Sequence, residues 1–184
     1  MVHESQKRNL WARWASYAAA AWCAMFGGLH LYWAVGGNAG LAAFSTPSNQ
    51  TAAFVRDSLY IGLTWAVALV CLYGAIVVLA TRRAWGSRLP RWIVLTTLWV
   101  ACGLCVVRGL GNPIQSLMLV SGIFRSEILD GPLAIAWYRW MLLDATLFSP
   151  WFTLGGLAFG VTAWSARQHG KVVTQHDLLP ARQA

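Results

Sequence analysis

A chain of 184 residues that is 58% hydrophobic, only 11% charged and carries twelve tryptophans has too little polar surface for a water-soluble domain. Its net charge of +8 does not mark a nucleic-acid binder, because the basic residues stand in short runs beside long apolar segments, without interleaved aromatics. Cys23, Cys71, Cys102 and Cys105 all fall inside apolar segments, which argues against an extracellular disulfide framework.

A helix crossing the hydrocarbon core needs about 20 apolar residues at about 1.5 Å each. Trp14 to Val35 meets this after Lys7, Arg8 and Arg13. It is longer than a signal-peptide core and no small-x-small cleavage site follows, so a retained first span is expected. His30 lies near its far end on a helical stripe with Trp22, Phe26, Trp33 and Gly37. Two readings of this histidine stand: a structural hydrogen bond to a neighbouring helix, or a role as acid, base or ligand-binding group. The connection that follows holds the turn signals Gly36-Gly37-Asn38-Ala39-Gly40 and Ser45-Thr46-Pro47-Ser48-Asn49. Asn49-Gln50-Thr51 matches a glycosylation sequon, a common chance match.

The second span is expected over Leu59 to Ala80, with Arg56, Tyr60 and Thr64 at four-residue spacing at its start. The third runs from Trp92 to about Gly111 and is interrupted only by Arg108, which shares a face with Ala101, Leu104, Cys105 and Asn112. An ionisable residue inside a span costs at least about 2.5 kcal/mol, so Arg108 needs a carboxylate or an anionic headgroup or substrate. Cys102-Gly103-Leu104-Cys105 has the spacing of a redox pair, but a thiol relay needs a second accessible pair, and no loop cysteine exists. Gly111-Asn112-Pro113 signals a turn, and the apolar stretch Ile114 to Phe124 suits a short packed or re-entrant helix.

Glu127 and Asp130 stand in a segment with the turn residues Gly131 and Pro132, where solvated acids are usual. From Leu133 to Ser165 the apolar stretch is too long for one straight span and contains Pro150. Ser149-Pro150 reads as an N-cap with proline at the first helical position, which divides the stretch into an interfacial or tilted helix over 133–148 and a fourth span over 150–166. A single kinked helix is the competing division. Asp144 interrupts the stripe Trp137, Trp140, Met141 and Phe148, either as a partner for Arg108 or Arg139 or as a carboxyl available for proton transfer.

Orientation follows from the Lys and Arg flanking the spans. The N-terminal tail, the connection with Arg82, Arg83, Arg88 and Arg91, and the C-terminal tail with Arg167, Lys171 and Arg182 hold ten of the fourteen. With Glu4 and Asp177 they carry the whole net charge of +8. These segments are therefore expected in the cytoplasm. On the other side Arg56, Arg108, Arg125 and Arg139 are matched by Asp57, Glu127, Asp130 and Asp144. Trp11, Trp14, Trp85, Trp92 and Trp164 suit the cytoplasmic aromatic belt. The expected architecture is one all-α domain, an integral membrane four-helix bundle with both termini inside and an extra interfacial or kinked helix before the last span.

The segment Gly28-Leu29-His30-Leu31-Tyr32-Trp33-Ala34-Val35-Gly36-Gly37 resembles an uncharacterised bacterial family of small four-span membrane proteins marked by His-x-Tyr-Trp-x-x-Gly-Gly at the end of the first helix. The resemblance covers about a quarter of the chain and implies a bacterial inner-membrane location and a four-helix fold. His30, Tyr32, Trp33, Gly36 and Gly37 match the pattern, and no catalytic role comes with it; the third connection here is longer than the family's.

The candidates converge on one half of the membrane. They predict a polar pocket opening outward, roofed by the Gly-rich and Pro-rich connections and walled by Trp33, Trp137 and Trp140, with His30, Tyr32, Tyr60 and Arg108 as further binding residues. One function class is a non-enzymatic protein that takes a small apolar or amphiphilic molecule, or a partner span, in this pocket. The other is a membrane-embedded acid–base enzyme, an isomerase or terpene-type cyclase acting on an isoprenoid or other lipid-like substrate, with Asp144, Glu127 or His30 as catalytic group. A transporter is disfavoured because no inverted repeat is evident. No cofactor or metal is expected: one intramembrane histidine is too few for a bis-histidine haem or a zinc centre. The bilayer is the first partner, with a lipid-like molecule or a second membrane protein beyond it, and no nucleic acid.

Overall fold

A computed structural model of the chain describes the backbone of residues 2–123 and 131–177 and the side chains of residues 10–123 and 131–168. All regular structure among the described residues is helical. Four long helices, α1 (Val2–Ala34), α4 (Ser58–Ala80), α5 (Arg91–Val120) and α7 (Ser149–Asp177), are joined by shorter pieces: α2 (Leu41–Phe44), α3 (Pro47–Phe54) and α6 (Ala134–Leu143). A 3₁₀ turn over Ala84–Arg88 links α4 to α5, and one π-helical turn over Asp144–Phe148 links α6 to α7.

Three helical stretches, Ser58–Ala80, Arg91–Val120 and Ala134–Gln168, are long and apolar enough to cross a membrane. Their outward faces are apolar and bare: Val70 is 66% exposed, Val107 70% and Leu154 63%, a surface that lipid covers and water does not. The protein is a membrane protein with transmembrane helices. The expected first span lies within α1, which is long enough but less apolar, because Ser16, Tyr17, Gly27, Gly28 and His30 dilute it.

The helices pack α1 on α4, α5 on α7 and α1 on α7, while α4 and α5 share only a sparse seam. Ala19, Trp22 and Cys23 of α1, Val77 and Val78 of α4, Leu98 and Cys105 of α5, and Phe159 and Ala163 of α7 form the common core. Small residues let α5 and α7 close: a Cβ on Gly156 would lie 3.2 Å from the Cys102 carbonyl oxygen, and one on Gly160 3.2 Å from the Cys102 sulfur. At the end away from α2 and α3, Arg82 ties three helices together. It donates to the Ser16 hydroxyl at 2.9 Å, the Ala12 carbonyl and the Ser165 hydroxyl at 3.4 Å.

Two boundaries differ from the sequence expectation. The turn at Gly111-Asn112-Pro113 and the separate helix after it do not form; α5 runs unbroken to Val120 with Pro113 inside it. Proline there removes only the hydrogen bond to the Gly109 carbonyl, a loss that helices in lipid tolerate. Ser149 is not an N-cap either, since its backbone is α-helical (φ −63°, ψ −45°). Pro150 cannot donate to the Thr146 carbonyl, and the chain absorbs that loss in the π turn, where the Ser149 N–H reaches back five residues to the Asp144 carbonyl. The helical path from Ala134 to Gln168 is therefore continuous through an irregular turn.

Candidate functional site

Arg108 stands one residue before Gly109 on α5, and that glycine decides what it meets. A Cβ on Gly109 would lie 2.8 Å from both the Ser149 carbonyl oxygen and the Thr153 amide nitrogen, so the bare backbone lets the start of α7 come into contact. This close approach sets Asp144 opposite Arg108. Nη1 donates to Oδ2 at 3.3 Å, Nη2 donates to Oδ1, and the Ser149 hydroxyl donates to Oδ2 at 3.0 Å. The fork of a guanidinium on a carboxylate is the strongest geometry these groups adopt. Asp144 is 0% exposed and the Arg108 side chain 30%, so the acid is sealed behind the base. The guanidinium carbon also lies 4.9 Å from the centre of the Phe152 ring, a cation–π contact.

Arg108 faces a cavity of about 890 Å³ between the long helices and the α2–α3 segment. Phe26, His30 and Trp33 of α1, Tyr60, Leu63 and Thr64 of α4, and Asn112 of α5 line it. Trp140 of α6, Leu147 and Phe148 of the π turn, and Phe152 of α7 complete the wall. Gly36 and Gly40, with φ of 109° and 81°, turn the chain out of α1 and into α2, a conformation that only glycine adopts without strain. Thr46 caps α3 by accepting the Asn49 N–H at 3.2 Å, and Asp57 caps α4 by accepting the Tyr60 N–H at 3.0 Å. Phe44 then folds over the cavity, its ring 5.0 Å from Phe148 and 6.5 Å from Trp33.

His30 sits among rings, 4.3 Å from Phe26 and 5.2 Å from Trp33 between centroids. Its Nδ1 lies 2.9 Å from the Phe26 carbonyl oxygen. A carbonyl only accepts, so Nδ1 carries the hydrogen and, in the neutral ring, Nε2 is left with a lone pair. The bond is made within its own helix rather than to a neighbouring one. Trp33 is buried and donates to the Ala39 carbonyl at 3.0 Å.

Of the residues singled out from sequence, His30, Trp33, Tyr60, Arg108 and Trp140 line the cavity, and Asp144 reaches it through Arg108. Tyr32 does not. Its ring packs on Gly37 and its hydroxyl accepts the Ala39 N–H at 3.3 Å, so it braces the turn after α1. Trp137 lies behind Trp140, edge to face at 5.8 Å, and does not form the wall. Glu127, with Arg125 and Asp130, lies outside the described residues. The expected pairing of four bases with four acids reduces, among the described residues, to Arg108–Asp144. Arg56 and Asp57 are adjacent yet unpaired. Arg56 reaches the Ala34 carbonyl at the C-terminus of α1, where a cation is favoured, while Asp57 caps α4.

Sequence reasoning missed Ser149, Phe152 and Gly109. Ser149 falls five residues after Asp144, a spacing that a regular helix puts on different faces and a π turn brings together. The signal for Gly109 was present as a glycine beside the one charged residue inside the apolar run of its helix, but its partner could not be read without the packing.

Residues 22–159 match the model of a family described as a protein of unknown function (DUF3995), a match that extends well past Gly111. No curated protein and no solved structure matches the chain.

Proposed function

This chain belongs to the DUF3995 family, and from that footing we propose that it spans the bacterial inner membrane four times, with both termini in the cytoplasm, and binds one small amphiphilic molecule. The site is the cavity under α2 and α3, which on this topology opens in the outer half of the membrane. The basic residues support the orientation: Arg82, Arg83, Arg88 and Arg91 gather at the opposite end, as the positive-inside rule requires.

The single observation that carries the binding reading is an aromatic cavity of about 890 Å³ whose one lining Lys or Arg among the described residues, Arg108, is neutralised by Asp144. The volume lies within the roughly 300–1,000 Å³ of small-molecule sites, and apolar walls with a few placed polar groups are their usual make-up. Access from lipid is available along the sparse α4–α5 seam. Its hydroxyl pair, Tyr73 with Thr97 at 3.1 Å, lies toward the other end, and Leu63 of the cavity wall is 58% exposed. The acid–base alternative has less support, because the Asp144 carboxylate is committed to Arg108 and Ser149 and no acid lines the cavity among the described residues.

The test is mass spectrometry of small molecules that accompany the gently extracted protein, compared with Leu63→Trp, which places an indole in the cavity mouth. An amphiphile near one per chain in the native protein and lost in the variant is the expected result. Native protein that carries nothing beyond the bulk lipid mixture overturns the reading.

A further inference from the structure

Resting on that reading, we infer that the polar end of the bound molecule is an uncharged hydrogen-bond acceptor, a carbonyl of the ketone or ester class, and not a carboxylate or an ammonium. Among the described residues the ionisable ones of the cavity wall are His30, Tyr60 and Arg108, and Arg108 is the fixed charge among them. That charge is already cancelled. Asp144 is fully buried behind it and also held by the Ser149 hydroxyl, so an incoming anion does not displace it. An anionic headgroup would leave one uncompensated negative charge in a lipid-embedded pocket, and an ammonium would leave one positive charge.

Donors remain. A guanidinium has five N–H groups, the bonds to Asp144 use two, and no other acceptor for Arg108 exists among the described residues. Trp140 also lines the cavity, but its indole N–H, which has no acceptor among the described residues, is buried away from the cavity surface, so the free donors offered to a ligand are those of Arg108. A neutral acceptor satisfies these free Arg108 donors without adding charge. Phe26 and Phe152, 5.2 Å apart and edge to face, lie between Arg108 and His30 and provide the surface for the apolar body.

The experiment uses four probes of one chain length, a dodecyl methyl ketone, a dodecyl carboxylate, a dodecyl ammonium and the plain hydrocarbon, with binding to the full chain in nanodiscs counted by native mass spectrometry. The ketone is expected to bind about tenfold tighter than the hydrocarbon, the worth of one good hydrogen bond, and the two ions no tighter than the hydrocarbon. The double change Arg108→Gln with Asp144→Asn, which removes both charges together, should bring the ketone down toward the hydrocarbon. Arg108→Lys, which keeps a charge for Asp144 but loses the forked donor set, gives a second reading should the double variant not fold, and a several-fold loss for the ketone alone is expected. A carboxylate or ammonium that binds as tightly as the ketone, or a ketone no better than the hydrocarbon, overturns the headgroup inference while the cavity still takes a chain. Failure of all four probes overturns the cavity reading itself.

Discussion

Removing one partner of the Arg108–Asp144 pair should be far worse from one side than from the other. Arg108→Gln leaves a carboxylate that is 0% exposed with only the Ser149 hydroxyl for company. Breaking a buried pair in this way costs about 3–5 kcal/mol, because the remaining charge has lost its compensation and cannot reach solvent. Asp144→Asn leaves the guanidinium, which is 30% exposed and faces the cavity, and the new amide still offers an oxygen. Its cost is discounted to about 1–2 kcal/mol. The double variant removes both charges and should return to within about 1 kcal/mol of the native protein, as replacement of a whole buried pair commonly does. Unfolding in mixed micelles of rising SDS fraction, followed by circular dichroism, measures all four proteins. Equal losses for the two single variants, or a double variant no better than Arg108→Gln, would refute the claim that the acid is sealed and the base is not.

Two further outcomes follow from the packing and the proposed topology. Gly109→Ala should destabilise by about 1–3 kcal/mol, since its methyl must displace backbone atoms of Ser149 and Thr153, whereas Gly103→Ala on the same helix meets nothing within 4 Å and should be neutral or slightly stabilising. Melting in detergent separates the pair. Cysteine placed at Asn38 in the α1–α2 connection should react with a membrane-impermeant maleimide on intact cells, and cysteine at Ser87 only after permeabilisation. The buried Cys23, Cys71 and Cys105 should stay silent in both.

Much of the architecture was legible because lipid imposes a simple rule. Apolar runs of a span's length must be helical, since backbone groups in hydrocarbon find partners only within their own segment. His30 shares a face with Phe26 and Trp33 because the 3.6-residue period of the first helix survives in the fold, and Asp144 is buried with Met141 and Phe148, although the π turn breaks the regular period between the last two of these positions. Where expectation failed, a soluble-protein rule was applied inside a membrane. Asn112-Pro113 and Ser149-Pro150 are stop and start signals when water can satisfy freed carbonyls, but here α5 continues through one proline and a π turn accommodates the other. Of the matched charges, Arg108 and Asp144 do pair, whereas Arg56 and Asp57 find helix termini instead, because matching totals of bases and acids say nothing of distance.

Composition and hydropathy by themselves determined that this chain lives in lipid as a set of helices, and that an arginine and an aspartate within them need partners. That these two are each other's partners was decided only in three dimensions. A glycine on α5 admits the backbone of α7, and one irregular turn rotates the carboxylate and its serine onto the arginine. Spacing along a chain encodes which face a residue takes, whereas the match between faces of different helices depends on how closely their backbones can approach.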